Sequence, residues 1–245
     1  FNDISELEGV DRQSYRERAL AIRRSLSEAE PWRTDLKQEL AEALSKLGLF
    51  MSMAGRGEDS RILREEALRI REKLVEIEPD RTDYKQDLAI SFSELGGLAR
   101  VSGRSEEAWR YRQEALKIRR SLVEAEPWRS DLKQQLCSLL RTLGGTALSD
   151  GSGQEARRYY DEALDINRAL VSAETWRSDF KNQLAISHNY LGHLARASGW
   201  LEQAREHYQA ALDIRHTLLA AEPQRQLLKH EFAMSLNHIG NLAFD

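Results

Sequence analysis

Glu126-Pro127-Trp128-Arg129-Ser130-Asp131-Leu132-Lys133 is the stretch whose reading decides the fold, because the chain writes it and its surroundings again at a fixed interval. A proline cannot continue a helix, and a hydroxyl residue followed by an acid favours the start of one. The stretch therefore reads as a turn between two helices. Pro31, Pro79 and Pro223 hold the same place, with Thr175 as the one substitute, and Thr34, Thr82 and Ser178 repeat the hydroxyl, each before an aspartate. Working outward, Leu20, Leu68, Leu116, Leu164 and Leu212 each lie 48 residues after the last (68 − 20 = 48). Gly48, Gly96, Gly144, Gly192 and Gly240 keep the same interval, as do Lys37, Lys85, Lys133, Lys181 and Lys229. A period of this size marks a solenoid, in which each unit buries its apolar face against its neighbours.

Before the turn, Ala108, Tyr111, Ala115, Ile118, Leu122 and Ala125 fall at steps of three and four, which is one apolar stripe on a helix. After the corresponding turn of another unit, Tyr84, Leu88, Phe92, Leu95 and Ala99 form a second stripe that runs to Gly103, whose counterparts are Gly55, Gly151 and Gly199. Each period thus predicts two antiparallel helices of roughly 20 residues, about 30 Å long, and about ten helices follow for the chain. No segment alternates with period two, so strands are not expected. Residues 1–10 match the repeat poorly and are expected to be a degenerate unit end or linker, with 11–245 a single solenoid whose first and last units are incomplete. The glycine after Leu47, Leu95, Leu143 and Leu191 sits inside a helix, where it costs about 1 kcal/mol relative to alanine. Its recurrence predicts a close helix approach, with Ala67, Ala115, Ala163 and Ala211 expected on the other side. Glu30, Arg33, Asp35 and Lys37 with their counterparts are expected to pair between successive units, and Trp32, Trp128 and Trp176 either to cover the ridge at the turn or to form an exposed contact strip.

Composition narrows the function classes. The formal net charge is −4 and almost a third of the residues are charged, a mixed surface with no bulk attraction to nucleic acid or acidic membrane. The lone cysteine, Cys137, stands where sister units carry Ala41, Ala89, Ala185 and Ala233, so it reads as a small core residue and argues against a disulfide scaffold. No apolar run approaches the roughly 20 residues of a membrane span and no signal-peptide pattern opens the chain, so a cytoplasmic location is expected. All six histidines, His188, His193, His207, His216, His230 and His238, fall in the last two units. His188 and His193 point roughly 140° apart on a helix, and no metal is expected. There is no phosphate loop, cysteine cluster or nucleophile motif, so neither a cofactor nor an enzyme is expected.

At Phe92-Ser93-Glu94-Leu95-Gly96, followed by Ala99, Gly103, Ala108, Tyr111, Ala115-Leu116 and Ile118, the sequence resembles the tetratricopeptide repeat, a helix pair of about 34 residues. That family's closing proline would fall near Arg120 and here comes seven residues later, at Pro127. Both helices are lengthened, in the manner of the repeats of kinesin light chain and of large bacterial signalling proteins. The resemblance implies an all-α, right-handed α-solenoid of stacked antiparallel helix pairs that acts as a protein-protein interaction scaffold, the first helix of each pair lining a concave groove that reads a partner peptide or helix. Carried over by register, one groove row holds Ser45, Ser93, Arg141, Asn189 and Asn237. The next holds Leu49, Gly97, Gly145, His193 and Asn241, and a third Ser52, Arg100, Leu148, Arg196 and Phe244. Arg100, Arg141 and Arg196 favour an acidic partner segment. Two alternatives are a structural element that self-associates through an uncapped C-terminal helix, and the sensor arm of a larger bacterial signalling enzyme.

Overall fold

A computed structural model of the chain describes residues 2–242, with side chains from residue 13 to residue 242. Ten α-helices and no strand occur among the described residues: α1 (Asn2–Ala29), α2 (Thr34–Met53), α3 (Gly57–Ile77), α4 (Thr82–Val101), α5 (Ser105–Ala125), α6 (Ser130–Ser149), α7 (Gly153–Ala173), α8 (Ser178–Ala197), α9 (Leu201–Ala221) and α10 (Gln226–Leu242). The backbone of residues 2–10 is part of α1. The chain divides into two compact units, Phe1–Leu122 and Val123–Asp245, the division falling inside α5. In the N-terminal unit α2 packs on α1 and α3, and α3 on α4; in the C-terminal unit α7 packs on α6, α8 on α7, α9 on α8 and α10 on α9. Turns of three or four residues join the helices, so successive helices in each unit run antiparallel.

Two kinds of turn alternate, each with its own chemistry. The three-residue turns rest on Gly55, Gly103, Gly151 and Gly199, whose φ lies between 74° and 78°, a left-handed conformation that a Cβ would oppose. In the last of them the Gly199 amide donates to the Arg196 carbonyl at 3.0 Å and the Trp200 amide to the Ala195 carbonyl at 2.8 Å. This Schellman arrangement satisfies carbonyls that a helix end leaves open. The four-residue turns close when the Arg33 amide donates to the Glu30 carbonyl at 3.0 Å, and the turn with Thr175 in place of proline keeps that bond, Arg177 to Glu174, at 3.1 Å.

Helix starts differ from the expectation of a hydroxyl cap. The hydroxyl residue is the first helical residue, and the arginine before it occupies the cap position without a side-chain cap bond. The aspartate takes over the role. Asp35 accepts the Arg33 fork at 2.7 and 2.5 Å, and Asp83, Asp131 and Asp179 accept the same fork from Arg81, Arg129 and Arg177. The hydrogen bond from Arg33, with its charge and the amides of Leu36 and Asp35, holds the Asp35 carboxyl down at about 2. These pairs close within one turn and do not link successive units as expected, because arginine and aspartate are only two residues apart. Solvent surrounds them, so they set the direction of helix entry more than they add stability.

At Gly48, Gly96, Gly144 and Gly192 the repeated glycine does lie close against the next helix, while Gly240 has no neighbour within 4 Å, and the partner is not the alanine row. A Cβ on Gly48 would lie 3.0 Å from Arg64 Cγ, and on Gly96 2.9 Å from Arg112 Cγ; on Gly144 it would lie 2.3 Å from Tyr160 Cε1, and on Gly192 2.5 Å from Tyr208 Cε1. The alanines Ala67, Ala115, Ala163 and Ala211 are fully buried core residues at a different height. A second device ties one repeat to the next. Arg71 Nη1 donates to Ser91 Oγ at 2.6 Å, Asn167 Nδ2 to Ser187 Oγ at 2.9 Å and Arg215 Nη1 to Ser235 Oγ at 2.6 Å. All six residues are buried, and each bond joins residues twenty apart on the second helix of one repeat and the first helix of the next.

Cys137 is buried in α6 and its thiol donates weakly to the Ala163 carbonyl at 3.6 Å. Burial pushes that thiol up to about 12, so little thiolate forms near neutrality. Alkylation by iodoacetamide at about pH 8 is expected to be at least about a hundredfold slower in the native chain than in the denatured one. Equal rates measured by mass spectrometry would place Cys137 outside the core.

Candidate binding surface

The first helices of the repeats, α2, α4, α6, α8 and α10, each turn one face to a neighbouring helix and one to solvent. In the N-terminal unit the solvent face of α2 carries Glu42, Lys46, Leu49 and Met53, and that of α4 carries Ile90, Arg100 and Val101. Lys46 pairs with Glu42 at 3.0 Å, leaving Leu49 and Met53 as an apolar strip. In the C-terminal unit α6 presents Ser138 and Thr142, α8 the half-buried Ile186, Tyr190 and His193 with exposed Arg196, and α10 Met234, Asn237 and Asn241.

The expected rows land unevenly. Ser93 is half-buried and donates to the Ala89 carbonyl of its own helix at 2.9 Å, and Ser45 accepts from the Arg71 guanidinium at 3.2 Å. Arg141 is half-buried and donates to Gln183 Oε1 at 2.6 Å. Asn189 is only 7% exposed. This row therefore lies between adjacent helices and not on the open face, except for Asn237 at the end of the chain. In the row three residues earlier, Glu42, Ile90, Ser138 and Met234 are exposed instead, and Ile186 is half-buried. Three residues turn a helix by about 300°, enough to exchange a lining position for a packed one. Arg100, Arg196 and Asn241 are exposed, and Phe244 lies outside the described residues.

His193 and Arg196 do come together. With Ala197, Gly199 and Leu201 they line a cleft of about 550 Å³ where α8 ends and α9 begins. The Tyr208 hydroxyl is 2.8 Å from His193 Nδ1, and burial, reinforced by the charges of His238 and Arg196, pushes His193 down to about 4. It is a neutral hydrogen-bonding group at neutral pH. Among the described residues no group of three or more His, Cys, Asp or Glu side chains is arranged to hold a metal, and no helix is long and apolar enough to cross a membrane.

The indoles of Trp128 and Trp176 in the C-terminal unit, and of Trp32 in the N-terminal one, stand almost three-quarters exposed at their turns. They do not cover the ridge. Sequence reasoning missed the interhelical histidine pairs and the buried Arg/Asn–Ser bonds. The signal for the latter was present, as a polar residue followed by serine at a fixed spacing of twenty.

The tetratricopeptide repeat family profile matches residues 40–81 and 136–175. The chain is similar in structure to BtubC (BKLC) from P. vanneervenii, with 21% identity and a TM-score of 0.69 over 96% of this chain and 82% of that one. It is also similar to the nearly identical TPR-like repeats of a Podosopora anserina kinesin light chain, with 18% identity and a TM-score of 0.51 over 84% of this chain and 96% of that one. At these identities the likeness shows the fold alone. No curated protein matches the chain. Within residues 40–81 and 136–175 the chain therefore carries tetratricopeptide repeats, and the 48-residue interval of its helix pairs continues beyond those segments.

Proposed function

We propose that the chain is a non-catalytic scaffold that binds a segment of a partner protein along the solvent faces of α8 and α10 in its C-terminal unit. One observation carries this reading: side chains at matching positions of those faces differ, Ile186 against Met234 and His193 against Asn241, while the buried Ser187 and Ser235 at matching positions of the packed faces are the same. A uniform frame with a variable face suits recognition of one partner. Arg196 at the cleft favours an acidic segment, and the buried thiol of Cys137 is in keeping with a cytoplasmic setting. The test is a pull-down from the source lysate with wild type, an Arg196→Glu/Asn241→Glu variant of unchanged helicity, and Arg205→Glu on the opposite helix as control. A partner kept by wild type and control but lost by the double variant supports the site, and one kept by all three refutes it.

A second reading has its own observation. Leu227, Met234 and Leu236 on α10 are exposed, and an apolar face of this kind suits self-association. Concentration-dependent oligomers abolished by Leu236→Glu would favour that reading over the first.

A further inference from the structure

We propose that α8, α9 and α10 form an acid-sensitive latch, in which two buried histidine contacts between the helices hold them together while the rings are neutral, and the helices open when the rings are protonated and the added charge demands solvent. The first contact joins His188 of α8 to His207 of α9, with their Nδ1 atoms 3.1 Å apart. Their ring centroids are 5.4 Å apart, only 2.3 Å more than the nitrogens (5.4 − 3.1), or about one ring radius at each end. The rings therefore meet end on, and the bond needs one bare nitrogen and one N–H. It exists in the neutral pair and is lost once both rings carry a second proton. A metal shared by the two nitrogens would require the rings to be angled toward a third point, which this meeting excludes.

The second contact draws on all three helices. His193 of α8 shares a 2.8 Å hydrogen bond with the Tyr208 hydroxyl of α9 and meets the His238 ring of α10 edge-on at 4.7 Å. His238 in turn stacks on Tyr208, with centroids 5.1 Å apart and planes 17° apart. Charged groups face these rings from every side. From α7, Arg168 acts on His188 and His207, and Arg157 and Asp161 act on His207; from α9, Glu206 acts on His207 and Arg215 on His238; from α8, Arg196 acts on His193 and His238. Four guanidinium groups against two carboxylates make added protons unwelcome.

Burial first, then neighbouring positive charge, pushes His188 and His193 down to about 4. In the opened helices both return to the ordinary value of about 6.5. Between those values the opened form takes up protons that the packed form refuses, so opening becomes easier as pH falls through this window and gains nothing further below it. Between about pH 7 and about pH 5 the opening equilibrium should rise roughly 20-fold for each of the two histidines, several hundredfold for both. The N-terminal unit holds no histidine. At the register of His188 and His207 it holds Phe92 and Tyr111, whose rings are 6.2 Å apart and carry no such proton.

The experiment is hydrogen exchange read by mass spectrometry at about pH 7 and about pH 5, corrected for intrinsic exchange. The expected result is a several-hundredfold loss of protection in α8–α10 against a few-fold loss in α2–α4, with roughly 20-fold of it removed in His188→Phe/His207→Tyr, which installs the ring pair of the N-terminal unit. Equal losses in both units, or a double variant that responds like wild type, would overturn the latch. If that variant does not fold, histidine ring resonances of the wild-type chain decide it: titration of His188 and His193 near the ordinary value overturns the proposal, and titration below about 5 sustains it.

Discussion

Replacing Gly144 by alanine is expected to destabilise the chain by about 3 kcal/mol, toward the upper end of what overpacking a core costs. The added methyl would sit 2.3, 2.7 and 2.8 Å from three atoms of the Tyr160 ring. That ring is 2% exposed and packs against Tyr190, with centroids 5.3 Å and planes 34° apart, so it cannot swing aside without moving α8. Gly48→Ala should cost about 1 kcal/mol or less. Its methyl meets the unbranched Arg64 side chain at Cγ, 3.0 Å away, and the Ser60 carbonyl at 3.3 Å, a looser fit than against a ring, and alanine returns about 1 kcal/mol of helix propensity. Chemical denaturation of the two variants compares them directly, and equal costs would show that the ring is not the obstacle. The double variant Gly144→Ala/Tyr160→Arg, which installs the side chain that the N-terminal unit has at this place, should recover part of the loss.

Arg71→Met is expected to cost about 3 kcal/mol at neutral pH, in the range for removing one member of a buried charged network. It strands the hydroxyl of Ser91, which accepts from Arg71 at 2.6 Å. It also removes the positive charge that offsets the burial of Asp87, whose carboxyl burial already raises above its usual range. A carboxyl raised in the folded state binds protons more readily there than in the unfolded chain, so acid favours the folded form at this group. Without Arg71 the Asp87 carboxyl rises further, and the deficit should be largest near pH 7 and shrink as pH falls toward about 5. Denaturation at both pH values checks this. A deficit independent of pH would mean that Asp87 and Arg71 are not coupled.

The fold was legible because its determinants recur. Proline, the Gly103-type turn glycine and the in-helix glycine hold their places in successive periods, and each has a backbone reason that sequence displays. The partner of the in-helix glycine was not legible, since it is Arg64, Arg112, Tyr160 and Tyr208 in turn, and a search for constancy passes over a position that varies. The alanine row was chosen for its constancy, which reflects core burial and not contact with glycine. The candidate surface was half legible: Arg100, Arg196 and Asn241 face solvent, while Arg141 and Asn189 do not. Three residues of register separate a packed face from an open one, and both faces carry polar side chains because the packed one is itself hydrogen-bonded.

Arg71, Asn167 and Arg215 each meet a serine twenty residues further on, and that spacing bears on how such a chain can lengthen. A duplicated block of 48 residues inserted after Asn167 or Arg215 would bring its own donor and acceptor in step, so the new joint would be satisfied as soon as it formed. A block carrying leucine at the acceptor position would set a buried donor against a methyl group. Growth by tandem copying is thus permitted in some blocks and penalised in others, and the chain's history of duplication is expected to follow the serines.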